Sequence, residues 1–307
     1  MNKLANNQLD NIIDIIKIID KLKNFPAIGK LDTDLQDDKN KLESLVSRGM
    51  PIDIKDFFND CVNSIFDYFV EFGYSKENFV SLDGVETYTT DTRYIHKALG
   101  LFVGKNIVIN YSYFEFDNNG KLIGIKADKV NELKHIIIHE TLHRLSTYKK
   151  DKELCMQYDA VSEGFTDTLA HLITKDYNIV SKSYDFLNRI CYMFIEMIGL
   201  PGILEDYLVD LDNPKNLINF IKKYNVNYAS FKNEFDNFID KTNPNYEEYR
   251  TIDKKMEFVN VFKNSIIIPF CKENPEKVDR IVYLFNDLFK EFNIVLSEDE
   301  INIKRIK

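Results

Sequence analysis

The sequence predicts an α+β fold that is mostly helical, and three observations carry that expectation. Apolar residues recur at helical spacing over 8–24, 52–73, 128–146 and 156–175, and again through most of the chain beyond 179. One central stretch, 106–116, breaks the pattern. It reads Asn-Ile-Val-Ile-Asn-Tyr-Ser-Tyr-Phe-Glu-Phe, rich in the β-branched and aromatic residues that favour strands. Asp117-Asn118-Asn119-Gly120 then forms a strong turn signal, with Leu122–Ile125 as the returning strand of a hairpin. The expected architecture is a small, mostly antiparallel sheet beside a central helix, with a C-terminal helical subdomain.

Each element has its own warrant. In 8–24 the apolar positions are Leu9, Ile12, Ile13, Ile15, Ile16, Ile19 and Leu22, and Pro26 and Gly29 end the run. Residues 31–50 are highly charged and read as a loop passing into a short helix. A second helix is expected over 52–73, with Pro51 near its start and Gly73 near its end. Residues 76–100 are polar at first and poorly periodic. The later helices are punctuated at Gly199-Leu200-Pro201-Gly202, Asn213-Pro214, Asn243-Pro244 and Asn274-Pro275. The expected divisions are an N-terminal helical region at 1–80, a core at 81–178 and a helical region at 179–307.

Composition excludes several classes. Forty basic against forty-nine acidic residues leave a net charge of −9, without the basic stripe of a nucleic-acid binder. The run 12–19 is apolar but carries Asp14 and Lys17, so no stretch reads as a signal segment or a membrane span. A cytoplasmic location is therefore expected, with export by a route lacking a cleavable signal left open. Cys61, Cys155, Cys191 and Cys271 are scattered, which argues against a metal knuckle or a disulfide framework. The aromatic group Phe57, Phe58, Phe66, Tyr68 and Phe69 is most simply core.

Chemistry concentrates in His135-Ile-Ile-Ile-His139-Glu140-Thr141-Leu142-His143. On a helix, residues four apart share a face, so His139 and His143 can bind one metal ion together. Imidazole nitrogen suits zinc. Glu140 is placed to act as general base toward a water at the ion's open position. With only five histidines in the chain, chance occurrence of this pattern is roughly a one-in-a-hundred event or rarer. Catalytic zinc sites commonly take a third protein ligand. Glu163, on the next expected helix and 20 positions after His143, is the candidate. Asp167, one turn later, can accept the other ring N–H of a ligand histidine.

H-E-x-x-H, then nineteen residues, then Glu-x-x-x-Asp resembles the gluzincin metallopeptidases, which include the thermolysin-like and neprilysin-like families. The resemblance covers 135–170. It implies His139, His143 and Glu163 as zinc ligands, Glu140 as general base and Asp167 as the carboxylate orienting a histidine. Glu163-Gly164-Phe165 is also similar to a segment of the M1-type aminopeptidases, and 105–125 lies where gluzincins place the sheet whose edge strand lines the cleft. The implied activity is zinc-dependent hydrolysis of a peptide or protein substrate. Two departures matter. No G-x-M-E-N motif precedes the histidines, which disfavours aminopeptidase activity. No histidine follows His171 to stabilise a transition state. Tyrosine is the alternative donor, among Tyr224, Tyr228, Tyr246 and Tyr249, and Tyr228 is favoured on its separation from Glu163. His135 and His171 lie one turn from His139 and Asp167 respectively, while His96 has no motif around it. The alternative expectation is a non-catalytic helical binding or regulatory module that retains a zinc site.

Overall fold

The computed structural model describes residues 50–51, 53–74, 82, 85–90, 99–103, 106–147, 159–175, 184–211, 213–239 and 244–301. The helix expected over 8–24 lies outside these residues. So does the segment expected over 31–50, apart from Met50. The described chain is mostly helical with a small sheet, as expected. It falls into two compact units, one holding 50–147 with 169–175 and the other holding 159–168 with 184–301.

In the first unit the chain runs β1 (Met50–Pro51), α1 (Lys55–Val70), β2 (Glu86–Thr90), β3 (Gly100–Val103), β4 (Asn106–Asn110), β5 (Phe114–Phe116), β6 (Leu122–Ile125) and α2 (Val130–Thr147). Helix α1 buries Cys61, Ile65 and Phe69, which stand four residues apart and so make one stripe. Of the five aromatics assigned to core near it, Phe69 alone is fully buried; Phe57, Phe58, Phe66 and Tyr68 are partly exposed.

The four-stranded sheet has the order β1-β2-β4-β3. β1 and β3 pair antiparallel with their neighbours, whereas β2 and β4 pair parallel, with Tyr88 opposite Val108. β4 is a central strand, and Ile107, Val108 and Ile109 are all buried, as a strand covered on both faces requires.

The long strand expected over 106–116 is corrected by the structure. Tyr111–Tyr113 forms a turn of 3-10 helix that ends β4, because the Asn110 side chain accepts the Ser112 N–H at 3.0 Å. The hairpin is the shorter pairing of β5 with β6, which forms a separate two-stranded sheet.

Helix α2 packs on α1, β3 and β4. Leu133, Ile136, Ile137, Ile138, Leu142 and Leu145 are buried, each contributing roughly 1.5–3 kcal/mol. Its first turn is fixed by Glu132, which accepts from the Tyr113 hydroxyl at 2.8 Å and from Lys129 at 2.7 Å.

Helix α3 (Ala160–Thr174) serves both units, its first half counted with the second unit and its second half with the first. The second unit continues with α4 (Asp185–Ile198), α5 (Leu200–Val209), α6 (Lys215–Lys223), α7 (Tyr228–Asp236), α8 (Tyr246–Tyr249), α9 (Ile252–Phe262), α10 (Ile268–Glu273), α11 (Val278–Leu288) and α12 (Glu298–Ile301). Its core is a phenylalanine cluster. Phe194 meets Phe231 and Phe262 edge-on, and Phe235 stacks on Phe258 at 5.6 Å. Such pairs add about 0.5–1.5 kcal/mol each beyond burial. Cys61, Cys191 and Cys271 are free and buried, and Cys155 lies outside the described residues. Among the described residues no single helix is long and apolar enough to cross a membrane; the consecutive apolar helices α4 and α5 are bent by 115°.

Candidate metal centre

Helix α2 is buried on every side over 135–142, and α3 over 160–170. A buried helix hides its polar side chains from water, so each of them needs a partner. On α3 most are accounted for by neighbours. Thr166 shares a 2.7 Å hydrogen bond with the Tyr207 hydroxyl. Thr168 donates to the Gly164 carbonyl at 2.6 Å. Asp167 accepts from the Asn188 amide at 2.5 Å. Glu163, 1% exposed, belongs instead with the histidines.

The α2 imidazoles form a row. Ring centroids of His139 and His143 lie 4.7 Å apart, and those of His135 and His139 6.3 Å apart. From α3, the His171 ring packs on His135 at 4.4 Å. Glu163 and Asp167 precede His171 by two turns and one turn, so the three share one side of α3. The Nε2 atoms of His139 and His143 face each other at 3.0 Å. The ligand atoms of His139, His143 and Glu163 all lie within 4.8 Å of one another.

These residues fit a metal ion. Four-coordinate ligands about 2.1 Å from zinc lie roughly 3.4 Å apart. The histidine pair stands near that separation at 3.0 Å, and the carboxylate lies within 4.8 Å of both. Two nitrogens and one carboxylate oxygen form a donor set suited to a divalent transition-metal ion. An ion between them also offsets the cost of burying the carboxylate.

A second group, His135, His139 and Asp167, has its ligand atoms within the same 4.8 Å limit. It shares His139, whose Nε2 is already directed at His143. A second ion would need the other nitrogen stripped of its proton. Asp167 acting as a hydrogen-bond acceptor would need no such step.

Glu140 is buried beneath β3. A Cβ placed on Gly100 would lie 2.5 Å from Ile136 Cγ2 and 3.3 Å from both Cγ and Oε1 of Glu140. Only a glycine lets the strand come this close to the helix. Gly164 does the same for α3 and α4, since a Cβ there would lie 2.6 Å from Cys191 Sγ.

The tyrosine candidates separate. Tyr224 donates to Glu273 at 3.2 Å and Tyr249 to Glu234 at 3.3 Å. The Tyr228 hydroxyl is buried and makes no hydrogen bond among the described residues. Burial pushes its phenol well above the usual range, and Asp159, Asp236 and Asp206 reinforce this. His96 lies outside the described residues. Gly100 and Asn188 carry no signal in the sequence, and Gly164 shows there only as part of Glu163-Gly164-Phe165. Comparison with protein-family models, curated proteins and solved structures finds no match.

Proposed function

We propose that this chain is a zinc-dependent peptidase of gluzincin type. The observation that carries the reading is the convergence of His139 and His143 Nε2 at 3.0 Å, with the Glu163 carboxylate in the same cluster. His139, His143 and Glu163 would hold the ion, and Asp167 would keep His139 in the tautomer whose Nε2 lone pair faces it. When bound, zinc would supply a polarised water and an electrophile for the substrate carbonyl.

The remaining roles fall to the protein. Glu140 takes a proton from the attacking water as its oxygen bonds to the peptide carbonyl carbon. Glu140 then passes that proton to the leaving amine as the C–N bond breaks. Tyr228, with its uncommitted hydroxyl, is the proposed donor to the oxyanion. An extended peptide substrate suits the neighbourhood, because among the described strands β3 stands at the edge of its sheet and lies close over Glu140.

The test is a peptide-library cleavage assay paired with elemental analysis. Wild type is expected to carry one zinc per chain and to cleave. Glu140→Gln should keep the zinc and lose most turnover, and His143→Ala should lose the zinc. Full turnover in Glu140→Gln would remove the base assignment. Zinc without turnover in wild type would favour the non-catalytic module.

A further inference from the structure

The first turn of α3 is held by a group of charges drawn from distant parts of the second unit. The first N–H groups of a helix have no partner within it and need acceptors. Here the Ala160 N–H donates to Asp236 Oδ1 at 2.9 Å, from a residue 76 positions away on α7. The Ser162 N–H donates to Asp159 Oδ1 at 2.7 Å, and the Glu163 N–H to the Asp159 carbonyl at 2.9 Å. Two carboxylates at a helix N-terminus complement its dipole but repel each other. Lys232 lies against both, 3.2 Å from Asp159 and 2.7 Å from Asp236.

We propose that Asp159, Lys232 and Asp236 form an ionic latch that seats the first turn of α3 and with it the Glu163 carboxylate. Lys232 and Asp236 are then positioning residues for the metal centre. This rests on the reading of Glu163 as a ligand. The latch acts on Glu163 selectively, because Asp167 one turn later is held separately by Asn188.

The electrostatics agree with the geometry. Burial, with Asp159 beside it, pushes the Asp236 carboxyl up to about 6. Burial pulls Lys232 down, but Asp159 and Asp236 outweigh it and hold the ammonium above its usual range. Tyr228, Asp206 and Cys191 also lie in this neighbourhood, and none of them is a cation. Among the described residues Lys232 is the cation paired with both carboxylates.

The test uses the full chain and two readouts: hydrogen exchange along α3 in metal-free protein, and Zn2+ affinity by chelator competition. Asp236→Ala removes the acceptor for Ala160, and Lys232→Met removes the charge while keeping the stem. Each is expected to speed exchange at 160–163 by tenfold or more relative to 167–170, and to weaken zinc binding about tenfold. Asp236→Asn keeps an oxygen for the Ala160 N–H and should stay within about threefold of wild type. Should Lys232→Met fail to fold, Asp236→Ala carries the test. Uniform change along α3, or unchanged zinc affinity in Asp236→Ala, would overturn the latch. A wild-type protein that binds no zinc would sink the ligand reading and the positioning role with it, and the exchange pattern would show separately whether the latch exists.

Discussion

Replacing Gly100 with alanine puts a methyl group where β3 meets α2. Its three nearest neighbours belong to Ile136, at 2.5 Å, and Glu140, at 3.3 Å twice; none belongs to a histidine. Carbon atoms in contact settle at about 3.5–4.0 Å, so relief at Ile136 alone requires a shift of roughly 1 Å. Ile136 is 5% exposed and Glu140 9%, which leaves little room to move. Overpacking of this kind costs about 1–3 kcal/mol. For a chain of this size that lowers Tm by roughly 2–12 °C. A general base displaced by about 1 Å can lose as much as ~100-fold in rate. Gly100→Ala is therefore expected to melt earlier and turn over far more slowly at unchanged zinc content. Adding Ile136→Ala removes the closest clash, so the double variant should be more stable than the sum of the singles by about 1 kcal/mol or more. Thermal unfolding, elemental analysis and cleavage kinetics on the four proteins decide it. A Gly100→Ala protein with wild-type Tm and turnover, or strictly additive singles, would refute the close approach of β3 to Glu140.

Other outcomes follow from the same geometry. Gly164→Ala drives a methyl into Cys191 Sγ and Leu187, and should lower stability by about 1–3 kcal/mol in thermal unfolding. Asn188→Leu removes the amide that Asp167 accepts from, and should weaken zinc binding about tenfold or more in chelator competition while leaving circular dichroism unchanged. Asp236 titrates near 6 in the folded protein against an ordinary value of 3.8. Between those values the folded state holds the extra proton, so this group makes stability fall as pH rises from about 4 to about 6 and adds no slope above. Denaturation midpoints across that range should show the slope in wild type and lose it in Asp236→Asn.

The sequence made the α2 pair legible because one helical turn imposes a four-residue spacing, and histidine is rare enough here for that spacing to stand out. Glu163 was reachable only together with Asp167, as one carboxylate among many otherwise. The strands were harder. Glu86–Thr90 reads Glu-Thr-Tyr-Thr-Thr, without the apolar alternation that marks a half-buried strand, and its parallel partner β4 is distant enough to leave no local trace. The 106–116 stretch has strand-forming residues throughout, so its break at 111–113 depends on one Asn110 side-chain bond that composition does not reveal. Gly100 and Asn188 act through space on residues 36–40 and 21 positions away, which no periodicity encodes.

Four of the five histidines in the chain, His135, His139, His143 and His171, stand in the single row along α2 and α3. A histidine-selective isotopic label would therefore report almost entirely on the candidate centre. Its ring resonances would follow an added ion atom by atom.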